Sequence, residues 1–349
     1  MNRDITITKL EKPFVTEAGH TFYQADAAYK TWGRLNEKRD NAILICHALT
    51  GHAAADEWFP GIIGDRALCD PEQYFVICIN VPGSCYGSVG PLSTNPANGQ
   101  PYRSDFPNLT IRDLVSFQQL LLDQLDVEGI ELVIGGSMGG MQALEFALMD
   151  KRVRAAIPMA MGMAHTAWAI GISHIQRQAI TGDPQWNGGN YPPEQPPGKG
   201  LATARMMAMI SYRSPADYQH KFGREKQHGL EIFQVESYLS YQGDKLVDRF
   251  DANTYITLTK AMDTHDVSRG RGTFSEVLGD LEIPVLVIGV DTDFLYPTQD
   301  QKELAGFLQN GTYAEIESIH GHDAFLIEFE QLNRITTEFI STNRKPETQ

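Results

Sequence analysis

One stretch limits what this chain can fold into: Leu132-Val133-Ile134-Gly135-Gly136-Ser137-Met138-Gly139-Gly140-Met141-Gln142-Ala143-Leu144-Glu145. It opens on a short apolar run of the kind that forms a buried strand. It closes on a helix-forming segment, Met141 to Met149. Between them lies Gly135-Gly136-Ser137-Met138-Gly139, a G-x-S-x-G. Strand, tight turn and helix give that pattern the context of a nucleophile elbow, with the Ser137 hydroxyl lifted over the sheet edge. Glycines two before and two after the serine are expected to relieve strained backbone angles. The helix that starts there points free N–H groups and its positive dipole end at the same spot. The competing interpretation is a glycine-rich turn with an idle serine. A dinucleotide fingerprint fits worse, because the glycine spacing differs and no acidic residue ends the next strand.

The remaining pattern alternates strands with helices. Continuous apolar runs at Ala42 to Cys46, Tyr74 to Val81, Ala155 to Ala160 and Pro284 to Val290 read as strands covered on both faces, and Tyr313 to Ile316 as a further strand. Thr110, with Asp113 three residues on, caps a helix whose apolar face includes Ile111, Leu114, Val115, Leu121 and Leu122. Helical patterns follow at Gln299 to Leu308 and Ala324 to Ile340. Such alternation means an α/β chain with a mostly parallel sheet between helices. Residues 1–40 read as an edge hairpin, pairing Thr21–Ala25 with Ala28–Trp32. Residues 161–272 do not alternate and read as a helical lid inserted into a core made of 1–160 and 273–349.

Charge bears on partners. The chain carries 29 Lys and Arg against 44 Asp and Glu, net −15, which argues against nucleic acid and anionic membranes. The lid segment holds 12 basic and 11 acidic residues, so the core carries the acidity. A neutral lid over an acidic core suits an anionic substrate. Cys46, Cys69, Cys78 and Cys85 show no C-x-x-C spacing and read as reduced thiols. The start, Met1-Asn2-Arg3-Asp4, lacks an apolar signal core. The apolar stretch Ala155 to Ile172 is broken by His165 and is too short to span a bilayer. These features point to a cytoplasmic protein with a frayed tail, Asn343 to Gln349.

A serine hydroxyl is a poor nucleophile until a base takes its proton, and the base is normally a histidine oriented by a carboxylate. In an α/β-hydrolase sheet the chain order is Ser, Asp or Glu, then His. After the strand ending at Val290 comes Asp291-Thr292-Asp293-Phe294-Leu295-Tyr296-Pro297. After the strand near Ile316 comes His320-Gly321-His322-Asp323-Ala324-Phe325-Leu326. Asp293 and His322 are the chosen acid and base, with Asp291 and His320 as rivals. His320-x-His322 has no third ligand of suitable spacing nearby, so no metal is expected. The oxyanion needs two backbone donors. Met138, after the nucleophile, supplies one. Leu49, in the loop His47-Ala48-Leu49-Thr50-Gly51, is the candidate for the other, with His47 as a loop brace.

Several of these stretches resemble the homoserine O-acetyltransferase family. They are Leu49-Thr50-Gly51 after His47-Ala48, Cys85-Tyr86-Gly87-Ser88, Gly135 to Leu144, Trp186-Asn187-Gly188-Gly189, Gly243 with Phe250-Asp251-Ala252-Asn253, Asp291 to Pro297, and Gly321 to Leu326. The resemblance runs over about residues 10 to 340. It implies an α/β-hydrolase fold and acyl transfer from acetyl-CoA, a co-substrate, to the hydroxyl of L-homoserine on the way to methionine, with no bound cofactor. It implies double displacement through acyl-Ser137, using Asp293 and His322. It implies a substrate clamp in which Arg205 takes the carboxylate, Asp323 the ammonium, and Tyr212 assists. It also implies a homodimer packed through the lids. Ser84, Val89 and Ala53-Ala54-Ala55 depart from the family pattern, which leaves succinyl-CoA as donor and L-serine as acceptor open. A lid-bearing serine esterase would share the triad.

Overall fold

Ten strands form in chain order: β1 (Thr6–Lys9), β2 (Phe14–Val15), β3 (Thr21–Phe22), β4 (Asp26–Trp32), β5 (Ala42–Cys46), β6 (Phe75–Ile79), β7 (Ile130–Gly136), β8 (Ala156–Met159), β9 (Val285–Val290) and β10 (Gly311–Ile316). They belong to a computed structural model that describes residues 4–65, 67–229 and 231–343. Eight of the strands make one sheet in the order β1-β4-β6-β5-β7-β8-β9-β10. The six from β6 to β10 run parallel, while β1 and β4 add an antiparallel edge. This is the mostly parallel sheet expected from the alternation.

The period-2 geometry of a strand splits each apolar run between two faces. Along β5, Leu44 and Cys46 face one hydrophobic cluster, with Ile77, Val133 and the helices Ile111–Gln124 and Met138–Met149. Ile43 and Ile45 face the other, with Val76, Leu132 and Ile134, closed by Leu332 and Phe339 of the helix Phe329–Asn343. Both faces are dry, so the runs need no polar alternation. The Thr110 cap forms as a full capping box: Asp113 N donates to Thr110 Oγ1 at 3.1 Å and Thr110 N to Asp113 Oδ2 at 2.9 Å.

Two local expectations need correction. The edge hairpin is not Thr21–Ala25 against Ala28–Trp32. Thr21 and Phe22 pair instead with Val15 and Phe14, through a turn at residues 16–20 where Gly19 takes φ +84°. The rings of Phe14 and Phe22 stack at 5.6 Å. This frees β4 to sit between β1 and β6. The helix predicted over Ala324 to Ile340 is broken: Gly321–Leu326 forms a 3-10 turn and the α-helix begins at Phe329. The tighter turn lets successive side chains point in different directions, and His322 and Phe325 both use it.

Between β8 and β9 lie the helices Ala167–Thr181, Gly198–Tyr212, Pro215–Phe222, Gln234–Val247 and Ala252–Asp263, as the loss of alternation suggested. Among the described residues no helix is long and apolar enough to cross a membrane. Asn343 ends the last helix; the rest of the tail and the first three residues lie outside the described residues.

Candidate active site

Ser137 sits between β7 and the Met138–Met149 helix with φ 58° and ψ −125°. A non-glycine residue with positive φ away from the ordinary left-handed well costs on the order of 1–3 kcal/mol and persists only when its surroundings enforce it. Here they do. Ser137 N donates to Met159 O at 2.9 Å, and Ser137 O accepts from Met141 N at 3.0 Å. The flanking glycines act differently from the sequence expectation. Gly135, Gly136, Gly139 and Gly140 are absent from the positive-φ residues; the serine itself carries the strained angle. The glycines permit close approach. A Cβ on Gly139 would lie 2.1 Å from Cys46 O, and one on Gly136 would lie 2.4 Å from the Phe325 ring.

Behind the elbow, His322 Nδ1 donates to Asp293 Oδ2 at 2.6 Å, and both side chains are buried. The other carboxylate oxygen, Oδ1, accepts from Leu295 N at 2.8 Å and Tyr296 N at 3.0 Å, so the turn after β9 fixes the acid. The rivals are engaged elsewhere. Asp291 Oδ1 accepts from Ser318 N, and His320 Nδ1 donates to Asp217 Oδ1 at 2.9 Å. Burial alone would disfavour an imidazolium at His322, but the charge and hydrogen bond of Asp293 outweigh it and raise the pKa above the usual histidine value. The imidazole packs among Tyr296, Tyr212 and Phe325, with ring centroids 5.3, 5.5 and 5.7 Å away. Phe325 in turn covers Gly136, the residue before Ser137. With Nδ1 donating to Asp293, Nε2 carries a lone pair. No hydrogen bond joins it to Ser137 Oγ in this structure.

Both candidate oxyanion donors are buried residues, and among the described residues neither amide has an acceptor. Met138 N is the first amide of its helix. Leu49 N belongs to the turn Ala48–Gly51, closed by Gly51 N donating to Ala48 O at 2.9 Å. His47 braces that turn: Nε2 accepts from Val81 N at 3.1 Å, so Nδ1 donates to Ala48 O at 2.9 Å. Burial lowers its pKa to about 4, so it stays neutral. Gln142 ties turn to elbow, donating to His47 O at 3.1 Å and Met138 O at 3.0 Å, while Gln118 fixes its carbonyl at 2.9 Å. Sequence reading missed Gln142; its place one helical turn after Met138 was the available signal.

The helical segment adds a charged wall. Arg205 lies over the Tyr212 ring, its guanidinium carbon 5.8 Å from the centroid, and among the described residues it forms no ion pair or hydrogen bond. Burial keeps the Tyr212 phenol protonated. Asp323 does not face Arg205 alone. It accepts from Arg213 Nε at 2.9 Å, and Arg213 Nη1 reaches Asp217 Oδ2 at 3.2 Å. Burial raises the Asp323 pKa, against the pull of Arg213, His322 and Arg205. Arg213 was not foreseen; it lies one residue past the helix that carries Arg205 and Tyr212. Among the described residues no cluster of His, Cys, Asp and Glu could hold a metal ion.

The sequence model of the alpha/beta hydrolase fold family matches residues 41–329. Homoserine O-acetyltransferase of Chlorobium chlorochromatii is 52% identical over 334 residues, covering 95% of this chain and 93% of that one. The chain belongs to the homoserine O-acetyltransferase family. Another member, from Trichormus variabilis, is 49% identical over 95% of this chain and 92% of its own. Among solved structures, the homoserine O-acetyltransferase of Bacillus anthracis superposes with a TM-score of 0.88 at 29% identity, covering 98% of both chains. An acetylester hydrolase from Corynebacterium glutamicum superposes with a TM-score of 0.86 at 27% identity, over 97% of this chain and 96% of its own. Within this family fold, Ser137, Asp293 and His322 lie in the segments that follow β7, β9 and β10, three parallel strands that end at the same edge of the sheet.

Proposed function

We propose that this protein is an acyltransferase that moves the acetyl group of acetyl-CoA to the side-chain hydroxyl of L-homoserine, a step of methionine biosynthesis. The reading is supported by a strained, buried serine just after β7 and a carboxylate-held histidine in the turn after β10, on the same edge of a parallel sheet, in a chain about half identical to homoserine O-acetyltransferases over nearly its full length. His322 takes the Ser137 proton as the oxygen attacks the thioester carbonyl. Leu49 and Met138 amides receive the oxyanion. The thiol leaves with the proton from His322, and acetyl-Ser137 remains. Homoserine then gives its hydroxyl proton to His322 and attacks the ester. The Ser137–His322 hydrogen bond closes as substrate fills the site.

The unpaired guanidinium of Arg205 supports carboxylate binding by a bidentate fork. Tyr212 beside it offers a neutral phenol, and Asp323 receives the ammonium. The reaction uses acetyl-CoA as co-substrate and needs no bound cofactor or metal. The cytoplasm is the proposed location, a place where free thiols such as Cys46, Cys69, Cys78 and Cys85 persist. A homodimer packed through the helical segment belongs to the same proposal. Trp168 and Ile175 on its first helix are more than half exposed and supply apolar surface for it; sedimentation at a single-chain mass would refute the dimer.

Intact mass spectrometry after mixing with acetyl-CoA tests the chemistry. An acetyl adduct on Ser137 that homoserine discharges is the expected result, and Ser137→Ala should give no adduct, with turnover lower by on the order of 10⁶-fold. A succinyl adduct in its place identifies the other donor, and discharge by serine the other acceptor. The resemblance to an acetylester hydrolase favours a second reading, hydrolysis. Discharge by water at a rate that homoserine does not change selects it.

A further inference from the structure

We propose that Arg249 is a positioning residue for acyl transfer, which aims and polarises the Leu49 amide through the intervening Thr50–Gly51 peptide group. The proposal rests on Leu49 as an oxyanion donor. Arg249 lies between the helices Gln234–Val247 and Ala252–Asp263. Its neighbour Phe250 packs against Tyr86 and Tyr255, with ring centroids 5.8 and 6.3 Å apart. From there the guanidinium reaches across to the core. Nη1 donates to Thr50 O at 2.9 Å and to the Tyr86 hydroxyl at 2.6 Å, and Nη2 reaches Thr50 Oγ1 at 3.4 Å. Among the described residues no carboxylate forms an ion pair with it.

The peptide connectivity gives this contact its meaning. Thr50 C=O and Gly51 N–H are the two ends of one peptide group. Arg249 holds the oxygen end, and the N–H end donates to Ala48 O at 2.9 Å. Ala48 C=O and Leu49 N–H are in turn the two ends of the next peptide group. The chain therefore runs guanidinium, Thr50 peptide, Ala48 peptide, Leu49 N–H, with every dipole pointing the same way. A planar peptide held at its oxygen has its N–H direction fixed on the opposite side. His47 adds a second donor to Ala48 O and fixes the same plane. Hydrogen bonds in series polarise one another, and a cation at the oxygen end makes the far N–H a stronger donor. Arg249 never touches the reacting carbonyl, yet its charge lies two peptides from where the oxyanion forms.

Loss of an oxyanion donor costs about 10²- to 10³-fold in turnover; a donor left in place but loosened and less polarised should cost about 10- to 100-fold. The test uses the full chain, acetyl-CoA labelled with carbon-13 at the thioester carbonyl, and infrared difference spectra of the acyl-enzyme formed without homoserine. In Arg249→Met the acyl carbonyl band should move to higher wavenumber, because hydrogen bonds to its oxygen weaken. Single-turnover acetylation should slow by about 10- to 100-fold, while the KM for homoserine stays within twofold. Arg249→Lys, which keeps the charge, should recover part of both. If Arg249→Met does not fold, Arg249→Gln carries the test, since it keeps a donor for Thr50 O without the charge and should still raise the band. A folded Arg249→Met or Arg249→Gln with the wild-type band and rate overturns the role of Arg249 alone. Wild-type protein that forms no adduct on Ser137 overturns the acyl-serine reading and this proposal with it.

Discussion

At the scale of single residues, the site turns on which partner each polar group finds. His322 is buried, and burial alone would make it a weak base that stays neutral. Asp293 reverses that sign. In the proposed mechanism the base is the neutral imidazole, so a raised pKa moves the acid limb of kcat/KM for acetyl-CoA above the ordinary histidine value of about 6.5. Asp293→Asn should lower turnover by on the order of 10⁴-fold, through loss of the Nδ1–H tautomer. The residual activity should show its acid limb at lower pH, because burial is then opposed only by the charge of Asp323. A pH–rate profile checks both, and an unmoved limb would assign it to another group. Asp293 and His322 were legible in the sequence because the order of residues after successive strands limits the choice. Arg213 was not, because its partner Asp323 lies 110 residues away.

The strand-turn-helix element shows where local pattern and local physics part. G-x-S-x-G marks the turn correctly, but the reason for its glycines is contact with β5 and with Phe325, which no window around residue 137 contains. A Cβ at Gly139 meets backbone, Cys46 O at 2.1 Å, and backbone cannot rotate aside. Gly139→Ala should therefore destabilise the protein by about 3 kcal/mol, the upper part of the overpacking range, and should displace Ser137 from its strained angle. Urea denaturation gives the stability and acetyl-adduct formation gives the function; a variant with wild-type midpoint would mean that the helix can lift off β5 freely. The edge hairpin was misplaced for a related reason. Thr21–Ala25 has strand composition, but the turn at Gly19 and the Phe14–Phe22 stack decide its partner.

Across the whole molecule, the segment between β8 and β9 does more than cover the sheet. It contributes Arg205 from the middle of one helix, Tyr212 from that helix's end, Arg213 just beyond, and Arg249 further along. Arg213 and Arg249 reach opposite halves of the core machinery, the loop after β10 and the loop after β5. Gly321, at φ +67°, lets the first of these contacts form, since a Cβ there would lie 2.7 Å from Ser214 N. Arg213→Met should raise the KM for homoserine by about 10- to 100-fold, the value of one or two charge-assisted hydrogen bonds. The cause is that Asp323, already raised by burial, loses the cation that opposes protonation. Hydrolysis of a nitrophenyl acetate, which carries no ammonium, should change far less. Equal losses on both substrates would assign Arg213 to holding the segment in place.

The sequence by itself determined most of the elements and the candidate reacting groups: the apolar runs, the capped helix, the elbow serine and the order Ser137, Asp293, His322. These follow from short-range periodicity, turn chemistry and chain order, which a linear string carries. Only the tertiary structure decided which carboxylate holds which histidine, why the elbow glycines are needed, and how Gln142, Arg213 and Arg249 tie distant loops together. Those facts depend on peptide groups and side chains brought to 2.9–3.1 Å across tens to hundreds of residues, a distance that packing sets and local pattern does not encode.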